Sequence, residues 1–111
     1  MINFIFTLIS FIAISLSSAQ ANLAYITNEK DNTVSVIDIK KKKVINTVKV
    51  GQRPRGITIT KDGKLVLICA SDDDRVEVRD AKTMKLKYHL PSGPDPELFI
   101  LSPDEDTLYI A

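Results

Sequence analysis

Apolar and polar residues alternate along most of the chain in short stretches that end in turn-forming residues. In residues 43–50, for example, Val44, Val48 and Val50 alternate with Ile45, Thr47 and Lys49. A period of two predicts β-strands. The predicted strands are residues 23–28, 33–39, 43–50, 55–60, 64–70, 75–80, 85–91, 97–102 and 107–111. The main breaks are Asp31-Asn32, Lys61-Asp62-Gly63, Asp72-Asp73-Asp74 and Pro103-Asp104-Glu105-Asp106, which all favour turns.

The strands are of two kinds. Residues 34–37 and 65–68 are apolar on both faces, which is typical of strands covered by sheets on both sides. Residues 43–50 and 85–91 carry Lys, Asn, Thr and His between apolar residues. These two strands are predicted to lie at the outer edge of a sheet, half in water.

The pattern repeats with a period of 42 residues. Ten identities share this register: Asp31/Asp73, Val34/Val76, Val36/Val78, Asp38/Asp80, Lys40/Lys82, Lys43/Lys85, Gly51/Gly93, Pro54/Pro96, Asp62/Asp104 and Ile68/Ile110. A period in the low forties with four short strands per unit predicts β-propeller blades. The fold class is therefore predicted to be all-β, with blades of four antiparallel strands. Residues 22–111 would hold three strands of one blade, one complete blade and two strands of a third.

The first 21 residues differ from the rest because they contain no charged side chain. The apolar run from Phe4 to Leu16 is shorter than the roughly 20 residues that span a membrane. Ala19-Gln20-Ala21 matches a signal-peptidase site. We predict a signal peptide over residues 1–21, cleavage after Ala21 and an exported mature chain, periplasmic or secreted. A buried N-terminal helix and an uncleaved anchor are the alternatives.

Composition excludes several classes of site. The formal net charge of +1 gives no electrostatic case for nucleic acid or an anionic membrane. Cys69 is the single cysteine, so an internal disulfide and a CxxC motif are excluded, and a buried strand position is predicted for it. His89 is the single histidine and makes neither a zinc site nor a catalytic triad. The runs Lys40–Lys43 and Asp72–Asp74 are interpreted as solvated turns. No catalytic residue, metal site or cofactor is predicted.

The loops that cross from one blade to the next carry the candidate binding residues. Strand order places these loops on one face of the propeller together with turns 29–32 and 71–74. The candidate partner-binding residues on that face are Arg53, Arg55, Asp73, Asp95 and Glu97. Arg53 aligns with Asp95 and Arg55 with Glu97, so the charge changes sign between repeats. Solvated loop charges without a binding role are the alternative.

The same loops also contain residues that are identical in the two repeats, and we predict a structural role for them. Gly51 and Gly93 are predicted to be structural because the chain needs a conformation that glycine adopts without steric cost. Pro54 and Pro96 are predicted to stiffen the start of the inner strand, where a missing N–H is tolerated.

Tyr25-Ile26-Thr27-Asn28 resembles the Y-V-T-N signature of a family of propeller repeats. The following segments "NTVSVID" (32–38), "VGQRPRGI" (50–57) and "KDGKLVLI" (61–68) are similar to the rest of that repeat. The second repeat departs from the signature, with Leu67-Ile68-Cys69-Ala70. The segments "CASDDDRVEV" and "LPSGPDPELFILSPDEDTLYIA" resemble in particular the periplasmic β-propeller proteins associated with pyrroloquinoline-quinone (PQQ)-dependent catabolism.

The resemblance implies a partial YVTN-type propeller over residues 22–111, a fragment of a longer, seven-bladed protein, with Tyr25 and Asn28 as structural signature residues. It also implies a non-enzymatic binding or scaffold module, accessory to alcohol oxidation by quinoprotein dehydrogenases. A protein or small molecule would bind at the propeller face. The alternatives are a propeller enzyme, either lactonase-like or haem-carrying and similar to nitrite reductases, and a cell-surface or adhesive propeller.

Overall fold

The computed structural model describes residues 22–111, so the predicted signal peptide lies outside the described residues. The strands are β1 (Leu23–Asn28), β2 (Thr33–Asp38), β3 (Lys43–Lys49), β4 (Pro54–Ile59), β5 (Leu65–Ala70), β6 (Arg75–Asp80), β7 (Leu86–Pro91), β8 (Phe99–Leu101) and β9 (Leu108–Ile110). Ser71–Asp73 form a short 3-10 turn. All nine predicted strands are confirmed. β8 starts two residues later than predicted, where the amides of Glu97 and Leu98 both donate to the Ala111 carbonyl instead of forming a regular ladder.

The strands form three antiparallel sheets, ordered β1-β2-β3, β4-β5-β6-β7 and β8-β9. These are the predicted three strands, complete blade and two strands, and the all-β partial propeller is confirmed. The first two sheets have the same register: Leu23 lies opposite Asp38, and Leu65 opposite Asp80. Even the register shift recurs, between Val36 and Ile37 and between Val78 and Arg79.

Left-handed backbone positions confirm the 42-residue period. Eight of the residues with positive φ form four pairs that are 42 residues apart: Asn32/Asp74, Lys42/Met84, Arg53/Asp95 and Gly63/Glu105. Only one member of these pairs is glycine. Since such a conformation costs other residues about 1–2 kcal/mol, the repeat fixes the backbone more strictly than it fixes the side chains.

Two apolar layers separate the sheets. Val34, Val36, Val66, Ile68, Ala81 and Met84 fill the layer between the first and second sheets. Leu67, Cys69, Val76 and Val78 lie in the layer between the second and third. β5 is therefore covered on both faces, as predicted, whereas β2, for which the same was predicted, is fully buried only on the face of Val34 and Val36. Most of β3 and β7 is exposed, as expected for outer strands. Burial raises the pKa of the Cys69 thiol to about 11, so this cysteine is a protonated, apolar packing residue.

The loops and turns lie at two opposite ends of the blades. The crossing-loop end comprises residues 29–32, 50–55, 71–75 and 92–97, and the turn end comprises residues 38–43, 60–64, 80–87 and 102–107. Contacts between blades occur at both ends: Thr27 Oγ1 donates to the Arg55 carbonyl at 2.9 Å, and the Lys61 amide donates to Glu105 Oε1 at 2.7 Å. Within residues 22–111, no helix is long and apolar enough to cross a membrane.

Candidate functional site

The two crossing loops have the same local geometry. Asn32 Oδ1 accepts a hydrogen bond from the amide of Arg53 at 2.8 Å, and Asp74 Oδ1 accepts one from the amide of Asp95, also at 2.8 Å. Arg53 and Asp95 both have φ of 50°. A turn residue of one blade thus holds the loop that leads into the next blade. The backbones of residues 53 and 95 consequently occupy equivalent positions in neighbouring blades.

Arg53 connects three carboxylates that belong to different blades. Its Nε donates to Asp72 Oδ1 at 2.6 Å, its Nη2 donates to Asp95, and its Nη1 lies 3.9 Å from Glu29 Oε1. The hydrogen bond to Asp72 is the main cause that raises the pKa of Arg53 above its ordinary value. The guanidinium group stays charged and holds turns 29–32 and 71–74 against the second crossing loop.

Arg55 makes the second set of contacts. Its Nη1 donates to Glu97, and its Nε lies 3.8 Å from Glu29 Oε1. We refer to Glu29, Arg53, Arg55, Asp72, Asp95 and Glu97 as the arginine–carboxylate network. Two of its pairs, Arg53–Asp95 and Arg55–Glu97, join residues 42 positions apart. The change of sign between the repeats therefore has a structural cause as well, because the equivalent positions of neighbouring blades face each other.

The network includes four of the five predicted binding residues. The fifth, Asp73, is separate: its Oδ2 accepts a hydrogen bond from the Gln52 amide at 2.8 Å and lies 3.7 Å from Arg75 Nη2. Sequence analysis missed Glu29 and Asp72, although both belong to turns that it placed on this face. A search for carboxylates in those turns would have found them.

The two loop glycines are needed for different reasons. Gly93 has φ of +76°, and a Cβ at this position would meet no atom within 4 Å, which agrees with the predicted conformational reason. At Gly51 the prediction of a special conformation is wrong. A Cβ there would lie 2.5 Å from the Ala70 Cβ and 2.7 Å from Asp73 Oδ2, so close packing excludes a side chain.

Pro54 and Pro96 are both buried. Pro54 is the first residue of β4, where a missing N–H is tolerated, and the register between β4 and β5 shifts between Pro54 and Ile57. The carbonyl of Pro96 accepts a hydrogen bond from Ser71 Oγ at 2.5 Å. Pro54 thus starts inner strand β4, whereas Pro96 lies three residues before inner strand β8 and is held against the turn at Ser71.

The signature residues Tyr25 and Asn28 make internal hydrogen bonds. Tyr25 Oη donates to the Ala81 carbonyl at 3.0 Å across the first interface between blades. Burial is the main cause that raises the pKa of Tyr25. Asn28 Nδ2 donates to Thr33 Oγ1 at 3.0 Å and to Ser35 Oγ at 2.8 Å. These contacts are those of structural residues.

Gly56 is a further residue that sequence analysis missed. Its amide donates to the Glu97 carbonyl at 2.9 Å, and a Cβ would lie 2.8 Å from the same oxygen. The inner strands of two blades therefore approach each other directly at this point. Beside it lies a cavity of about 300 Å³, lined by Thr27, Glu29, Pro54, Arg55, Gly56, Glu97 and Leu98.

Metal-binding chemistry is limited in this part of the chain. Among residues 22–111, no three or more His, Cys, Asp or Glu side chains are arranged to hold a metal ion. His89 lies exposed on the outer strand β7, far from the inner strands in the order of the sheet. Asp72 and Asp73 belong to the 3-10 turn, and Lys40–Lys42 occupy the exposed turn between β2 and β3.

Comparison with known proteins gives a family and several structural neighbours. The family model described as "Cytochrome D1 heme domain" matches residues 2–97. Hydrazine synthase from Kuenenia stuttgartiensis is 28% identical, with a TM-score of 0.75 over 80% of this chain and 25% of that chain. A search among curated proteins gave no match.

Two further solved structures show the same fold at lower identity. Dihydro-heme d1 dehydrogenase NirN, in complex with DHE, is 20% identical with a TM-score of 0.68 over 81% of this chain and 19% of that chain. A functionally unknown protein from Desulfotomaculum acetoxidans is 21% identical with a TM-score of 0.68 over 80% of this chain and 31% of that chain. The present chain thus spans between a fifth and a third of the length of these neighbours.

Proposed function

The chain belongs to the cytochrome D1 heme domain family, and on that premise we propose that residues 22–111 are scaffold blades of an exported β-propeller that recognises a ligand or partner at its crossing-loop end. The observation that carries the proposal is the arginine–carboxylate network. It joins three blades at the end where the inner strands meet, beside the cavity of about 300 Å³. A rigid rim of this kind is what a binding face needs.

The family implies a haem, and the donor groups of these blades do not fit one. His89 is exposed on an outer strand, while Cys69 and Met84 are buried between sheets. The guanidinium groups of Arg53 and Arg55 are already bound to carboxylates. No His, Cys or Met side chain of residues 22–111 therefore supplies an axial ligand at the crossing-loop end. We assign the ligands of any haem in the complete protein to residues outside this range, and we assign no catalytic role to these blades.

The charge of the network favours a positively charged group. Two arginines face four carboxylates, and the carboxylates Asp72, Asp95 and Glu97 are about half exposed. An anion would have to displace these carboxylates from the arginines, whereas a cation can approach their free oxygen atoms. Exposed charges of this kind steer association and specificity more than they add affinity.

The experiment is the substitution Arg53→Ala with Arg55→Ala in the complete protein. The melting temperature should fall modestly, because the side chains of Arg53 and Arg55 are 31% exposed and lose three close ion pairs, each of which contributes about 0.2–1 kcal/mol. Capture of the partner should weaken, because the carboxylates lose the side chains that hold them in place. Lys49→Ala with Lys87→Ala removes two exposed positive charges from the outer strands, outside the crossing-loop end, and serves as the control. Equal capture by all three proteins would count against a binding role for this end.

The sequence resemblance supports a narrower proposal, in which the partner is a quinoprotein dehydrogenase in the periplasm. Purified dehydrogenase is the probe, and its binding should be lost in the double variant and kept in the control. N-terminal sequencing of the mature protein should start at Asn22, after the predicted cleavage site. A retained Met1 in a cytoplasmic fraction would contradict export.

A haem enzyme is the rival, favoured by the family match. Its test is the absorption spectrum of the purified complete protein. A stoichiometric haem band, together with turnover that survives the Arg53→Ala and Arg55→Ala substitutions, would favour an enzyme over a scaffold.

A further inference from the structure

The turn end repeats the same basic residues in neighbouring blades. Lys40 and Lys43 flank the turn between β2 and β3, and their equivalents Lys82 and Lys85 flank the turn between β6 and β7. All four side chains are exposed. Like charges at equivalent positions cannot pair between blades, so their potentials add. Lys42 differs from these four, because its equivalent Met84 is buried between two blades.

The lysines at this end are free of ion pairs. Within residues 22–111, every salt bridge uses an arginine: Arg53, Arg55, Arg75 or Arg79. The carboxylates of the turn end are bound to backbone amides of the turns instead. Asp38 accepts a hydrogen bond from the Lys41 amide at 2.8 Å, and Asp80 accepts hydrogen bonds from the Lys82 amide at 2.9 Å and the Thr83 amide at 2.8 Å.

The net charge of +1 is therefore unevenly distributed, with an excess of positive charge at one end of the blades and of negative charge at the other. The turn end has nine lysines (Lys40, Lys41, Lys42, Lys43, Lys61, Lys64, Lys82, Lys85 and Lys87) and six carboxylates (Asp38, Asp62, Asp80, Asp104, Glu105 and Asp106). The crossing-loop end has four basic residues (Lys30, Arg53, Arg55 and Arg75) and seven acidic ones (Glu29, Asp31, Asp72, Asp73, Asp74, Asp95 and Glu97). One end is thus positive by three charges and the other negative by three.

We infer that the turn end is a docking surface for an acidic protein, with Lys40, Lys43, Lys82 and Lys85 as its main contacts. Carboxylates are interspersed among the lysines. A continuous layer of phosphates, on a membrane or a nucleic acid, has a fixed spacing and would meet these carboxylates as like charges, whereas the flexible side chains of an acidic polypeptide can turn towards the lysines. Lysine is a flexible, strongly hydrated point charge, which suits fast, salt-sensitive association. The inference does not depend on the proposed function, which concerns the opposite end.

The test measures binding of the complete protein to poly-L-glutamate as a probe for acidic polypeptide. Two variants, Lys40→Gln with Lys43→Gln and Lys82→Gln with Lys85→Gln, each remove two positive charges from the surface. The control, Lys30→Gln with Lys49→Gln, removes two exposed charges elsewhere. At low salt each surface variant should bind at least about twofold more weakly than wild type, because each exposed charge pair contributes about 0.2–1 kcal/mol. The control should bind within about 1.5-fold of wild type if its charges make no such pair.

Specificity is tested with vesicles of phosphatidylglycerol and phosphatidylcholine and with duplex DNA, at equal concentrations of negative charge. Both should bind more weakly than poly-L-glutamate. An equal loss of binding in the control would show an effect of net charge alone and overturn the docking surface. Tighter binding to vesicles or DNA would overturn the assignment to a protein. The melting temperatures of both surface variants should be no lower than that of wild type, since no ion pair is lost.

Discussion

The two ends of the blades use the same repeat in opposite ways. At the crossing-loop end, equivalent positions of neighbouring blades carry opposite charges, as in Arg53–Asp95, and they pair directly. At the turn end, equivalent positions carry the same charge, as in Lys43 and Lys85, and they do not pair within residues 22–111. The backbone repeats at both ends, with left-handed residues 42 positions apart. The geometry of the blades therefore does not determine the sign of the charge at a surface position. The ion pairs show which charged side chains form contacts within the fold.

Packing also differs between the first crossing loop and one turn of the opposite end. A Cβ on Gly51, at the crossing-loop end, would lie 2.5 Å from Ala70 Cβ, 2.7 Å from Asp73 Oδ2 and 2.9 Å from Glu77 Oε1. A Cβ on Gly63, at the turn end, would meet nothing within 4 Å. The first crossing loop is thus closely packed at Gly51, whereas the turn that contains Gly63 is open to solvent, as is Gly93 in the second crossing loop.

Gly51→Ala should therefore give the largest effect on stability. Inserting a methyl group into this packed site should cost about 3 kcal/mol, at the upper end of the range for overpacking. Gly63→Ala is the matched control, because its only cost is a residue with φ of +70°, about 1 kcal/mol. Urea denaturation of the complete protein measures both. Equal losses at the two positions would show that the first crossing loop can relax around a methyl group at Gly51.

A double-mutant cycle on Arg53 and Asp95 should give the next largest effect. The coupling free energy should be favourable by about 0.5–1 kcal/mol, as for exposed ion pairs of good geometry, and it should shrink in about 1 M salt. The same cycle on Lys43 and Lys85, each replaced by Ala, should give no favourable coupling. Favourable coupling between the two lysines, or none between Arg53 and Asp95, would remove the difference between the two ends.

The sequence was sufficient to predict the strands and the repeat, because both depend on local chemistry. Alternation at β3 and turn residues such as Asp31-Asn32 are visible in a short window, and the shift of 42 residues aligns whole blades. The crossing-loop residues Arg53, Arg55, Asp95 and Glu97 were found for the same reason, since the repeat itself marks them.

Three features could not be predicted because they depend on contacts between blades. The carboxylates of Glu29 and Asp72 join the network through space, 24 and 19 residues from Arg53 along the chain. Gly51 is required by the approach of Ala70 and Asp73, which the sequence does not place beside it. The lysines of the turn end that form no ion pair could not be identified from the net charge of +1, because only the structure shows which charged side chains are paired.

The smallest effect should be the response of the turn end to acid. Hydrogen bonds from Thr60 Oγ1 and from the Lys64 amide lower the pKa of Asp62 below its ordinary value of 3.8, and those from Ser102 Oγ and the Asp106 amide do the same for Asp104. A carboxyl group whose pKa is lower in the folded state stabilises the fold above the unfolded value, and this stability is lost as the pH falls through 3.8 towards the folded pKa. The melting temperature should therefore fall as the pH is lowered below about 4, and Asp62→Asn with Asp104→Asn should reduce that fall. Asp106→Asn, which changes the neighbouring carboxylate, is the control and should leave the fall unchanged.

A salt experiment separates hydrogen bonds within the turns from ion pairs with lysines, because salt screens exposed charges but not these hydrogen bonds. If about 1 M salt abolished the difference between the double variant and wild type, Asp62 and Asp104 would be interacting with lysines instead of with their own turns. The lysines of the turn end would then not be free to contact a partner.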